Sequence, residues 1–163
     1  MIRDFLNSVR QNHALEHATL HLLALRSPGI RLVGRSGPSG FAIYGPANTG
    51  DVEAAAAEAL ARLQRGDAHL AVHPNCGTNA VVTGLLVGGS AFAAGLGKAR
   101  SRLERLPLVL LVATLAAVAA PPLAHLVQER VTTSPALQGA HLVDVRREGQ
   151  GGLLVHRIRV RRG

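Results

Sequence analysis

Three histidines recur at four-residue intervals in HALEHATLH, at positions 13, 17 and 21, with Glu16 among them. A second short stretch, HPNCGTN at 73–79, sets His73 and Cys76 three residues apart. Imidazole nitrogen and thiolate sulfur are the donors that zinc takes in tetrahedral sites, with metal–nitrogen distances of ~2.0–2.1 Å. On a helix, positions 13 and 17 lie about 40° apart round the axis, so both rings can converge on one ion. His21, one turn further on, is a third ligand, a partner of a ligand or a lining residue. His13, Glu16 and His17 stand in the order HxxEH, the reverse of HExxH. Zinc enzymes with these signatures use the two histidines as ligands and the glutamate as general base on a metal-bound water.

Two His from a helix with His73 and Cys76 would make a closed His₃Cys site, which is structural. With only three of them ligating, a water position opens on which Glu16 acts as the catalytic base. The chain carries eight histidines and six glutamates. On those numbers a chance HxxxH is expected ~0.4 times per chain, whereas HxxEH is expected only ~0.01–0.02 times. The motif therefore weighs more than the histidine spacing alone. The plainer alternatives are a polar helix face for 13–21 and, for 73–79, a turn in which Thr78 or Asn79 caps the following helix. A thiol at Cys76 activated by that helix end is a further alternative. His69, His141 and His156 stand apart and are read as structural.

The elements that must position these residues follow from periodicity and punctuation. Residues 2–26 read as a helix in which Phe5, Val9, His13, Leu20 and Ala24 form one stripe, stopped by Ser27-Pro28-Gly29. Residues 30–35 and 40–45 read as a hairpin, 51–65 as an alanine-rich second helix capped from 48–51, and 69–73 as a short strand. Residues 80–97 hold no ionisable group, and residues 106–128 hold only His125. Both approach the ~20 residues that cross a bilayer, so they read as two transmembrane helices joined by the basic stretch 98–105. Gly84 and Gly88 are expected to let these helices pack closely, against Ala113, Ala116, Ala117 and Ala120. Pro121-Pro122 is expected to kink or end the second one. Residues 140–147 and 153–160 read as a closing hairpin, with arginines alternating along its second strand.

The charge of +8 comes from 17 arginines and a single lysine against ten acids. Such a balance permits nucleic acid or an anionic membrane as partner. Only four aromatic rings of Phe and Tyr are present, too few to stack on a single strand, so nucleic acid is not expected. One cysteine excludes an intrachain disulfide. A free thiol suits a reducing compartment, which favours a cytoplasmic soluble part, although the basic loop 98–105 alone would place that loop on the cytoplasmic side.

RQNHALEHATLHLL (10–23), GFAIYG (40–45) and LAVHPNCGTN (70–79) before an apolar hairpin together resemble a family of bacterial membrane proteins of unknown function, found in cyanobacteria and their relatives. The resemblance covers roughly the first 100 residues and implies no mechanism. The HxxEH order is also similar to that of inverzincin peptidases, through His13, Glu16 and His17 alone. Their downstream glutamate ligand has no clear counterpart in this chain.

The expectation is an α+β fold: a small soluble domain of two helices and about five short strands in a mixed sheet, with an inserted two-helix transmembrane hairpin. Residues 1–79 form the N-terminal part with the site motifs, 80–128 the hairpin, and 129–163 the strands that complete the domain. The function expected is that of a small integral protein of the inner membrane. It carries a zinc site of His13, His17, His73, Cys76 and His21 and has a metal-stabilised binding or scaffold role. A metal-dependent hydrolase with Glu16 as base, and a thiol or redox protein using Cys76, are the alternatives. The bilayer is the expected partner, and a homo-oligomer is left open.

Overall fold

A computed structural model describes residues 2–96, 103–149 and 154–163. The chain divides into two units: Met1–His73 with Glu129–Gly163, and Pro74–Gln128.

The first unit is an α+β layer pair. Helix α1 (Ile2–Arg26) runs without Gly or Pro until Ser27-Pro28-Gly29, where the chain turns. Strands β1 (Val33–Gly37) and β2 (Gly40–Tyr44) form the first hairpin, and helix α2 (Thr49–Gln64) follows. Asn48 caps α2 by accepting from the Gly50 amide at 2.8 Å, which satisfies one of the amide groups that a helix start leaves over. Strands β3 (Ala140–Glu148) and β4 (Val155–Arg162) complete a four-stranded antiparallel sheet of order β1-β2-β4-β3. The sheet is therefore antiparallel throughout, where the sequence suggested a mixed one. Among the described residues it has four strands: of the stretch 69–73, read from sequence as a strand, residues 69–71 lie in a 3₁₀ turn (Ala68–Ala71). Gly66 takes a positive φ of 103° and Asp67 accepts from Arg62, which curls the chain before it can extend.

Alternation decides what each face of the sheet does. Phe41, Ile43, Ile158 and Val160 point inward and are buried with Leu15, Leu22 and Leu23 of α1 and Val52, Ala55, Ala59 and Leu63 of α2. The buried stripe of α1 runs through Ala14, Leu15, Ala18 and Leu22, not through Phe5, which is 53% exposed. A polar clamp sets α1 along the sheet. Arg162 at the end of β4 donates to Asn12 Oδ1 at 2.7 Å and to the Ser8 carbonyl at 3.2 Å, while Asn12 donates to the Gly37 carbonyl at 2.6 Å. Arg10 holds the incoming segment before β3 by donating to the carbonyls of Arg130 and Thr133.

The second unit is a pair of apolar helices, α3 (Gly77–Gly95) and α4 (Leu106–Val127), packed on each other. Both are long and apolar enough to cross a membrane. The Gln128 amide donates to the Asn79 side chain, tying the two ends of the pair. Helix α4 continues past Pro121 and Pro122 to Val127, so the prolines do not end it. A Cβ added at Gly84 or Gly88 would meet nothing within 4 Å. These glycines thus lie away from the α3–α4 contact that the sequence spacing suggested for them. The basic linker expected at 98–105 lies largely outside the described residues, as does the tip of the closing hairpin at 150–153.

Candidate metal centre

The histidine stripe of α1 emerges where the clamp leaves the helix. The ring centroids of His13 and His17 are 4.3 Å apart. His73 lies 5.7 Å from His17 and 4.6 Å from His21. Four of the five ligand candidates thus form one continuous cluster within the first unit. His73 reaches it because the 3₁₀ turn (Ala68–Ala71) seats Leu70 and Ala71 in the core and delivers the chain alongside α1.

Backbone carbonyls orient three of the rings. His17 Nδ1 meets the Ala71 carbonyl at 2.7 Å, His21 Nε2 meets the Val72 carbonyl at 2.9 Å, and His13 Nδ1 meets the Thr132 carbonyl at 3.0 Å. A carbonyl can only accept, so each of these nitrogens carries the proton. In the neutral ring the opposite nitrogen then bears the lone pair: Nε2 of His13 and His17, Nδ1 of His21. This is how metal-ligating histidines are commonly held, with one N–H on a carbonyl and the other nitrogen toward the ion. Burial pushes His73 down to about 4, and the neighbouring His21 and His17 push it the same way. His73 is therefore neutral at physiological pH, the state a metal requires of an imidazole.

Glu16 faces elsewhere. It is 5% exposed, and the Ser36 hydroxyl of β1 donates to its Oε2. A Cβ on Gly34 would lie 2.0 Å from Glu16 Oε1, so only glycine lets β1 pass so close to this carboxylate. Cys76 belongs to the second unit. There it is the N-cap of α3, with Sγ accepting from the Thr78 amide at 3.4 Å. The capping role that the sequence offered to Thr78 or Asn79 is thus taken by the cysteine itself. A helix start favours the thiolate over the thiol.

Reasoning from sequence missed the groups that hold the rings. The carbonyls of Ala71, Val72 and Thr132 have no side-chain signature. Ser36 and Gly34 were read only as parts of a hairpin. The one available signal was the turn at Ser36-Gly37-Pro38-Ser39, which set the hairpin without saying what it covers.

These features define a small α+β unit with a carbonyl-oriented histidine cluster, continuous in sequence with two apolar helices. The chain belongs to the family described as a domain of unknown function, DUF6391, which matches residues 8–145. It is also similar to an uncharacterised protein of Picosynechococcus, with 38% identity over 140 residues. That match takes in 77% of this chain and 66% of the relative, just under two thirds of its length. No solved structure matches.

Proposed function

We propose that the protein is a membrane-anchored scaffold whose α+β unit is stabilised by a zinc ion. In this reading α3 and α4 cross the inner membrane, and the α+β unit stands on the cytoplasmic side. His13 and His17 supply Nε2 donors, Cys76 supplies a thiolate, and His73 and His21 complete or border the coordination shell. The observation that carries the reading is the set of three carbonyls that fix the tautomers of His13, His17 and His21. Rings on a merely solvated face need no such restraint. Cys76 follows His73 by three residues in the HPNC turn, the spacing by which a short loop presents nitrogen and sulfur to one ion. Histidine nitrogen with one thiolate favours zinc over magnesium or calcium, which take oxygen ligands.

Glu16 has a positioning role in this reading. Its carboxylate accepts from Ser36 beneath the glycine of β1 and so docks α1 on the sheet. The histidine stripe is aligned in consequence.

The test is the metal content of detergent-purified protein by elemental mass spectrometry. About one zinc per chain is expected, with loss in both His17→Ala and Cys76→Ala. Protein without metal above background would overturn the reading. Metal that survives both substitutions would place it elsewhere in the chain.

A further inference from the structure

The sheet face opposite α1 and α2 carries a second feature. Outward positions of the paired strands place Arg35 on β1, Ala42 on β2, Arg157 on β4 and Arg146 on β3 in one row across the sheet. In the next row Gly40 pairs with Arg159, and Arg159 with Asp144. Between the arginines of its neighbours, strand β2 thus shows only the small residues Gly40 and Ala42, with Tyr44 further along the same face. The result is a trough of about 300 Å³, with Arg35 on one wall, Arg157 and Arg159 on the other, and Tyr44 at one end. That is the lower limit of the volumes that hold small ligands.

The charge of the trough is not cancelled internally. Arg159 is engaged through Nε and Nη2 with Asp144, and Arg157 through Nε with Glu148. Both arginine side chains remain more than half exposed, at 53% and 56%, and each guanidinium has five N–H groups to give. Arg35 has no acidic partner among the described residues. Over the whole face, five guanidiniums (Arg35, Arg146, Arg157, Arg159 and Arg161) stand against the carboxylates of Asp144 and Glu148. A planar guanidinium fork binds phosphate oxygens bidentately, and two forks facing each other over a floor of Gly40 and Ala42 admit one phosphate group between them.

We propose that this trough binds the phosphate of an anionic lipid headgroup. The lipid, as opposed to a soluble anion, follows from covalent connection: the unit enters α3 after His73 and returns from α4 at Glu129. On the reading that α3 and α4 span the bilayer, headgroups are present at high local concentration. The trough is separate from the histidine cluster, which lies on the α1 side of the sheet.

The experiment titrates the full chain in non-ionic detergent with short-chain dihexanoyl phosphatidylglycerol, dihexanoyl phosphatidylcholine and glycerol phosphate, followed by calorimetry. Phosphatidylglycerol is expected to bind well above phosphatidylcholine. Its affinity should fall at least tenfold in Arg35→Gln and in Ala42→Glu, which plants a carboxylate on the floor. Glycerol phosphate is expected to bind more weakly with the same dependence on Arg35. Equal binding of the two lipids, or undiminished affinity in variants that melt like the parent, would overturn the proposal. So would glycerol phosphate binding as tightly as phosphatidylglycerol, since a soluble anion would then be the ligand. Membrane fractionation of the parent and Arg35→Gln proteins tests the spanning reading separately: both should remain with the membrane.

Discussion

The Nδ1–H of His17 meets the carbonyl oxygen of Ala71 at 2.7 Å, and both residues are within 2% of full burial. This one bond joins the middle of α1 to the turn that delivers His73, so the cluster depends on it before any ion arrives. Removing the donor leaves a buried carbonyl unsatisfied, at a cost of about 1–3 kcal/mol, and opens a cavity besides. Metal-free His17→Ala is therefore expected to lose about 2–4 kcal/mol in urea unfolding relative to the metal-free parent. Equal midpoints would show that the bond contributes nothing without metal.

His73 sets a pH dependence. Its folded-state value of about 4 lies below the ordinary 6.5, through burial first and the neighbouring histidines second. As pH falls, the unfolded chain takes up this proton before the folded one does. The stability linked to the neutral ring is complete above about 6.5 and drains away as pH falls toward 4. The melting temperature of metal-free protein should drop from pH 7 to pH 5, and His73→Gln should flatten that drop. Parallel profiles for the two proteins would count against the assignment.

Gly34 is a steric requirement for Glu16. Gly34→Ala brings a methyl group to 2.0 Å from Glu16 Oε1, which cannot stand. A loss of about 1–3 kcal/mol is expected from overpacking. Shortening the acid in a Gly34→Ala, Glu16→Ala double variant should return part of it, a coupling that a double-mutant cycle measures. Additive losses would mean that the two residues do not press on each other.

The glycines of α3 make the opposite prediction. Open space lies beyond Gly84 and Gly88, so alanine at either position should leave the helical pair as stable as before, read by thermal melting in detergent. A loss of more than ~1 kcal/mol would place these positions at the α3–α4 contact after all.

Much of the fold was legible because local signals were strong. Ser27-Pro28-Gly29 ended α1 where the structure ends it, at Arg26, and the uncharged runs located α3 and α4 to within a few residues. The stretch 69–73 misled because a short apolar run reads equally as strand or turn. There Gly66 at a positive φ of 103° and the hydrogen bond from Arg62 to Asp67 precede the turn, and neither is read from an apolar run. The spacing of His13, His17 and His21 was visible, and so was the separate His73. Their convergence depends on the 3₁₀ turn, and their tautomers on backbone carbonyls that any residue could supply. The arginine alternation in β4 was likewise visible. The trough was not, because its floor belongs to β2, more than a hundred residues away in the chain.

The central pairing of the sheet, β2 with β4, joins residues 40–44 to residues 155–159 across the whole of α3 and α4. On the membrane-spanning reading, this pairing acts as a check on topogenesis. A nascent chain that inserted only one of the two helices would leave β3 and β4 on the wrong side of the bilayer, with β1 and β2 an orphan hairpin. The half-made domain would expose Phe41 and Ile43, which the finished sheet buries. On that reading, completing the core requires both helices to insert, and a misinserted chain is marked by an exposed apolar surface at Phe41 and Ile43.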